Sequence, residues 1–400
     1  MIPSHPFHEG LGTDFRTLNQ IFRLVELGVE LHFISPFRKY ASSTKSELFY
    51  FHSLNNYPEF YELVYRLTRR AFNNRLWARQ TLRSPQYLNW SAANYAKSLE
   101  RVLTNLDIDV MLAIHHVAAA ACARIKGKLG LPLVTDVHGI WAEEIVASGT
   151  LERDSRQARI VRDFESEVLR QSDYLITTSE ELKIYFVEHY GINHNNVKPV
   201  IPCMEPRVSA AVRVSKPSRI VFAGTATYRE RIDLLLASMT FVLREYPSAE
   251  LYMTEKGDSI KAAKELARKL KVFPRYFYFS SRDHFYDFLK DCHIAVITSS
   301  DELTRRAAYP SKIYDYMSVG LPIVANDVGA WTRYIRESGC GILTDSTSQS
   351  LAKGLLELLQ NPQLIHELGQ NGLNYLRSIL RPDKLLKDIY DVLVKASTSS

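Results

Sequence analysis

Short apolar runs alternate with stretches of helical periodicity twice along this chain, and that alternation limits the fold more than any other feature. The first series has its runs at residues 31–36, 110–115, 133–138 and 174–178. The second has them at 219–224, 249–254, 276–280, 294–299, 322–327 and 341–345. Most are apolar on both faces, as parallel strands covered by helices on each side must be. Segments with apolar residues three and four apart, such as 232–246 and 259–270, lie between them. The alternation predicts a doubly wound α/β sheet, and two series predict two such sheets. A length of 400 residues suits two or three domains of ordinary size.

Residues 198–216 carry three prolines and read as a stretch that neither pairs nor coils. The expected organisation is therefore a first domain at 1–205, a linker at 206–217 and a second domain at 218–382. An amphipathic helix within 383–400 is expected to pack back on the first domain. The chain start is unusual. A doubly wound domain opens with a strand that becomes central in its sheet, and only residues 1–4 precede the first glycine loop. About five or six are usual for a strand, so the sequence is expected to begin inside that strand.

Composition narrows the function classes. No window reaches the ~18 uninterrupted apolar residues of a membrane span; the best, 111–123, is broken by His115 and His116. The N-terminus lacks the basic start and apolar core of a secretory signal. Cys122, Cys203, Cys292 and Cys340 lie far apart without a CxxC pair. That spacing argues against a zinc site or a disulfide framework, and for a reducing compartment. Fifty Lys+Arg against 44 Asp+Glu give +6, a mild bias towards anionic partners.

Four features could carry chemistry. Glu9-Gly10-Leu11-Gly12, followed by the amphipathic segment 15–27, is either an ordinary turn or a place where a phosphate or sugar approaches the backbone. His138 ends a predicted strand and is followed by Gly139. Ligands of open α/β sheets gather there, so it is either a core histidine or a donor to a sugar hydroxyl. His115 and His116 end another strand on opposite faces and read as structural. Phe222-Ala223-Gly224-Thr225 repeats the strand-and-glycine pattern, with Arg229 and Arg231 at the following helix start. Those arginines are either solvated charges or forks for a diphosphate. The most particular feature is 309–325. There Pro310 and Ser311 look like a helix entry, Ser311 able to cap it, with Lys312 and Asp315 in the first turn and Gly320-Leu321-Pro322 stopping the helix.

With these blocks in order, the chain resembles the retaining GT-B glycosyltransferases of the group 1 class, glycosyltransferase family 4. The likeness runs through EGLGT, DVHGIWAE, DYLITTSEEL, VIPCME, VFAGTATYRERIDLLL, YPSKIYDYMSVGLPIVAND and GCGILTD. It implies a GT-B fold, in which two Rossmann-like doubly wound domains face across a cleft. The C-terminal domain would hold a nucleotide-diphosphate sugar, the N-terminal one the acceptor, with no metal and no cofactor. By resemblance, Asp315 binds the nucleotide ribose, Gly12 and Gly224 lie against the donor phosphates, and His138 contacts the transferred sugar. The basic residue expected after Gly224 is here Glu230, so its role falls to Arg231, in register with Asp233. Ser311 and Lys312 would hold phosphate, with Lys312 and Arg231 offsetting the leaving charge. Two positions depart from the family. Ala307 stands where a second glutamate often touches the donor sugar, and Thr225 where an arginine usually follows the glycine. Asp301 or Glu302 is the candidate replacement carboxylate.

The expected partners are a nucleotide-sugar donor and a glycan or lipid-linked acceptor, in polysaccharide or glycolipid synthesis. Residues 61–90 interleave six arginines with aromatic residues against the single acid Glu62. That pattern fits either a solvated basic helix or contact with an anionic membrane surface from the cytoplasm. No nucleic-acid-binding module is present, so nucleic acid is not expected. The rival readings are a catalytically inactive nucleotide-sugar-binding scaffold, a nucleotide-sugar epimerase, and a phosphorylase with lysine-bound pyridoxal phosphate.

Overall fold

A computed structural model describes residues 1–3, 24–35, 47–54, 85–201, 204–216, 218–279, 281–307 and 309–399. The chain divides into two units, residues 1–201 with 386–400, and residues 202–385.

In the first unit β1 (Ile2–Pro3), β2 (Leu31–Ser35) and β3 (Phe49–Ser53) precede α1 (Pro85–Leu103). Then follow β4 (Met111–Ile114), α2 (His116–Leu129), β5 (Leu133–Val137), α3 (Trp141–Ala147) and α4 (Arg156–Arg170). The series closes with β6 (Tyr174–Thr177), α5 (Glu180–Tyr190) and β7 (Val197–Pro199). The parallel sheet has the order β1-β4-β5-β6-β7, and β2 pairs with β3 in a parallel ribbon. That ribbon continues the sheet at β1: Ile34 donates its N–H to the Met1 carbonyl at 3.0 Å, and the Met1 ammonium donates to the His32 carbonyl at 2.7 Å. The order is then 3-2-1-4-5-6-7, with the two-residue β1 at the switch point where doubly wound sheets collect ligands.

Burial explains the composition of the strands. β4 and β5 are buried throughout. The run of small residues Ala118–Cys122 on α2 is also buried, which lets that helix lie close to the sheet and to α1. Ser155 and Ser179 cap α4 and α5 by accepting from the N–H groups of Ala158 and Leu182. Residues 198–199 correct the sequence reading, because they pair with β6 as an edge strand. Pro199 is tolerated there because an edge strand has one side free of ladder bonds.

The second unit runs β8 (Arg219–Phe222), α6 (Ile232–Glu245), β9 (Glu250–Thr254), α7 (Ile260–Leu270) and β10 (Arg275–Phe277). After these come α8 (Arg282–Lys290), β11 (Ile294–Ile297), α9 (Leu303–Ala307), α10 (Lys312–Ser318) and β12 (Ile323–Asn326). It ends with α11 (Arg333–Ser338), β13 (Gly341–Thr344), α12 (Ser348–Gln360) and α13 (Pro362–Ser378). The helix α14 (Pro382–Thr398) follows, and Lys198 pairs with its Asp388 at 2.9 Å within the first unit. The six parallel strands of the second unit have the order β10-β9-β8-β11-β12-β13. That is the Rossmann order, and its switch point lies between β8 and β11. The predicted strands of this unit are all present, each trimmed by one or a few residues, except that β10 begins one residue earlier than predicted, at Arg275. Gly320, at φ +70°, ends α10 and lets β12 start three residues later.

Among the described residues no helix is long and apolar enough to cross a membrane.

Candidate functional site

Most of the sequence candidates in the second unit meet at the carboxyl ends of β8 and β11. Gly224 follows β8 at φ +149°, a conformation that favours glycine. A Cβ there would lie 3.1 Å from Lys312 Cε and 3.2 Å from Nζ. Lys312 therefore reaches from the start of α10 to the glycine turn, and its ammonium lies 4.4 Å from the centre of the Phe222 ring. Tyr316, one turn further along α10, ties the same helix to the turn by accepting from the Ala223 N–H at 2.8 Å.

The partner of Lys312 is Glu230. This glutamate ends a short 3₁₀ turn, Tyr228–Glu230. Its Oε2 accepts from Lys312 Nζ, and its Oε1 accepts from Arg305 at 3.0 Å. All three side chains are buried, so two cations share one carboxylate in a dry place. Burial alone would raise the Glu230 carboxyl, but Arg305 and then Lys312 outweigh it and hold it below its ordinary value. Burial lowers Lys312, and Glu230 opposes that shift.

Arg231 has a different position from the one its register with Asp233 suggested. It takes the left-handed conformation at φ 39°, and its guanidinium folds onto Asp233, with Nε 2.9 Å from Oδ1. More than a third of that side chain is exposed. The turn thus aims Glu230 inward and leaves Arg231 at the rim. Ser311 is corrected as a cap: its backbone is helical and its hydroxyl makes no capping bond, so it stands exposed at the helix tip.

Asp315 is buried, and its Oδ1 accepts from Arg282 at 2.7 Å and from the Tyr286 hydroxyl at 2.8 Å. Burial, then the charge of Asp315, pushes the Tyr286 phenol up. Sequence reasoning missed Arg282, Tyr286 and Arg305. All three are held by contacts between elements far apart in sequence, which no local pattern announces.

In the first unit His138 follows β5. Its Nε2 is 3.0 Å from Asp136 Oδ2, and its ring packs edge-on against His115 at 4.5 Å. His115 has φ 64° and ψ 179°, a region open almost only to glycine. His116 turns the other way, with Nε2 2.8 Å from Glu165 Oε1. Glu165 accepts from the N–H groups of Trp141 and Ala142 and from the Tyr190 hydroxyl. Gly12 and residues 61–84 lie outside the described residues. A cavity of about 480 Å³ lies at the amino ends of β5 and β6, lined by Pro132 and Asp173 among others. That is the wrong end of the sheet for the chemistry of such folds.

Comparison with known proteins gives two family matches. The model of group 1 glycosyl transferases matches residues 208–375, and that of Glycosyltransferase Family 4 matches residues 12–203. Two curated relatives are D-inositol 3-phosphate glycosyltransferases of Rhodococcus jostii and Rhodococcus opacus, each 22% identical over 257 residues. These alignments cover 59% of this chain and 55% or 56% of the relatives. The chain thus spans about half the length of the curated relatives it matches. Among solved structures, sucrose-phosphate synthase from Thermosynechococcus elongatus aligns with TM-score 0.72 at 13% identity, covering 100% of this chain and 99% of that one. Anabaena HepE with UDP and glucose aligns at 0.71 and 13%, covering 98% of each. The lipopolysaccharide glycosyltransferase WaaG aligns at 0.67 and 14%, covering 99% of this chain and 98% of that one.

Proposed function

The chain belongs to the group 1 glycosyltransferases of the GT-B fold, and from that premise we propose that it moves a sugar from a nucleotide-diphosphate donor to an acceptor hydroxyl with retention of configuration. The observation that carries the reading is Lys312 buried beneath Gly224 at the switch point, with Asp315 on the same short helix.

Departure of an anionic diphosphate is the main difficulty of the reaction, and fixed positive charge placed beforehand is the usual remedy. Lys312 and Arg305 against Glu230 leave one net positive charge facing the glycine turn, which suits a diphosphate. Gly224 lets the phosphate approach the backbone, and Ser311 is the hydroxyl at the tip of α10. Arg231, at the rim, adds longer-range attraction. Asp315, held by Arg282 and Tyr286, presents its other oxygen to the ribose hydroxyls. In the first unit, Asp136 orients His138 to touch the transferred sugar. The bond from anomeric carbon to diphosphate oxygen breaks and the bond to the acceptor oxygen forms on the same face. The acceptor proton ends on the leaving phosphate. The reaction so written runs without a metal or cofactor. Removing one charge-stabilising donor costs about 10²–10³ in rate.

HepE crystallised with UDP and glucose supports a nucleotide-hexose donor, and WaaG, a lipopolysaccharide enzyme, supports a glycan or lipid-linked acceptor. Segment 61–90 would then seat the protein on an anionic membrane at the cytoplasmic face, which co-sedimentation with anionic against neutral vesicles tests. Glu230, Thr225 and Ala307 favour a second reading, a non-catalytic scaffold that binds nucleotide sugars. A thermal-shift screen against nucleoside diphosphates and their sugar conjugates, followed by measurement of nucleotide release, separates the two. Binding with turnover supports the transferase, binding without turnover the scaffold, and no shift with any ligand removes both.

A further inference from the structure

The sheet of the second unit ends at β10, and the two most exposed large apolar side chains among the described residues flank that edge strand. Phe273 is 77% exposed and Tyr278 71%, while every other such side chain among the described residues is at most half exposed. The backbone explains the first. Lys271 ends α7 in the left-handed conformation at φ 56°, and the Val272 N–H closes the turn on the Ala267 carbonyl at 3.0 Å. Val272 is thereby buried, and alternation along the extended chain sends Phe273 outward. A phenyl ring held in water forgoes the stabilisation of burial, and two exposed aromatic rings beside one short strand mark a contact surface.

The helix α7 lies alongside. Its Lys264 ammonium is 4.6 Å from the centre of the Tyr276 ring of β10, and its Ala263 and Ala267 face the core. The opposite face is exposed and basic: Lys261, Arg268 and Lys269, then Lys271, with Glu265 the acid among them. None of these four cations has an ion pair among the described residues, whereas Glu255 is taken by Lys264 and Glu250 by Arg275. Residues 255–278 hold seven lysines and arginines against three acids, so this segment supplies four of the six net positive charges of the chain.

We propose that this edge of the second unit docks on an anionic lipid bilayer, with Phe273 and Tyr278 entering the interface and the basic face of α7 lying over the headgroups. The inference is independent of residues 61–90 and of the donor reading. Exposed basic groups beside interfacial aromatic rings are what such a surface attracts. The loop between β9 and α7 closes on the glycine turn, the Lys256 carbonyl accepting from the Ala226 N–H at 2.7 Å, so a bilayer at this edge would lie at a fixed distance from Gly224. A second copy of the chain is disfavoured as the occupant. The strand has three residues, Pro274 before it has no N–H to offer an incoming strand, and two faces of the same positive charge repel. An acidic polypeptide would match the charge alone.

Flotation of the full chain with vesicles tests this, using phosphatidylcholine alone and phosphatidylcholine mixed with phosphatidylglycerol. The native protein should float with the anionic vesicles only, and less as salt rises. Phe273→Ser, and Lys261→Gln combined with Lys269→Gln, should each weaken that binding by about tenfold or more with segment 61–90 intact. Both change exposed side chains, so their melting temperatures should stay within about 2 °C of the native value; Tyr278→Ser serves if Phe273→Ser alters the fold. Native binding that none of these variants weakens overturns the assignment and leaves 61–90 as the membrane contact. Equal flotation with both vesicle types, or none, also overturns it, and retention on polyglutamate beads would then give the surface to an acidic polypeptide. Dimerisation in sedimentation velocity that Phe273→Ser abolishes would give it to a second copy.

Discussion

Replacing Glu230 with glutamine keeps the shape of the side chain and removes its charge. Lys312 and Arg305, each 7% exposed, then lose the carboxylate that compensates them. Breaking a buried ion pair by removing one partner costs about 3–5 kcal/mol, because the remaining charge stays buried. For a domain of this size about 1 kcal/mol moves Tm by roughly 2–4 °C, so Glu230→Gln should melt about 6–20 °C lower at pH 7. The pH dependence has a definite sign. Glu230 is held below its ordinary 4.5, mainly by Arg305 and Lys312 against the effect of burial. Its stabilising contribution is complete above that value and is lost as pH falls through the lowered folded value. The variant has no such carboxyl to titrate, so the Tm gap between native and variant should narrow on acidification. Differential scanning calorimetry from neutral to acid pH measures both effects. A variant that melts within about 2 °C of the native protein, or a gap that widens in acid, would show that the two cations do not depend on this carboxylate.

Three further predictions concern the same architecture. Gly224→Ala forces an L side chain to φ +149° and sets its Cβ 3.2 Å from the Lys312 ammonium, so urea unfolding should show a loss of about 1–3 kcal/mol; an unchanged midpoint would refute the close approach. Asp315→Asn should weaken nucleotide binding about 10–100-fold by removing the charged acceptor, measured by calorimetry, and unchanged affinity would take the ribose role from it. Burial pushes the thiols of Cys122, Cys292 and Cys340 up to about 12, so timed alkylation read by mass spectrometry should modify them only on unfolding; rapid labelling in the folded protein would contradict their burial.

The strands of the second unit were legible because each is a continuous apolar run bounded by turn residues, and burial on both faces demands that pattern. β3 was missed because Phe49–Ser53 is a short, partly exposed run. β7 was missed because its proline argued against pairing, a rule that an edge strand escapes. The site was legible where it depends on local sequence, as with Gly224, Lys312 and Asp315. It was misjudged where one backbone angle decides, since the left-handed turn at Arg231 sends the guanidinium to Asp233 and the neighbouring carboxylate inward. Linear spacing does not encode that angle. Nor does it encode the pairing of Arg282 with Asp315, which lie 33 positions apart.

Glu165, on α4, gathers donors from Trp141 and Ala142 on α3 and from Tyr190 at the end of α5, and His116 at the start of α2 lies 2.8 Å from it, so four helices meet at one carboxyl. None of those helices can fray alone without stranding a buried carboxyl, so they should open to hydrogen exchange in concert and at one shared free energy. The segment leading away from His138 is thereby locked to chain some 50 residues downstream. A chimera that swaps 138–170 without 180–190 would inherit a carboxylate short of one of its donors, and would loosen the histidine that it was meant to carry.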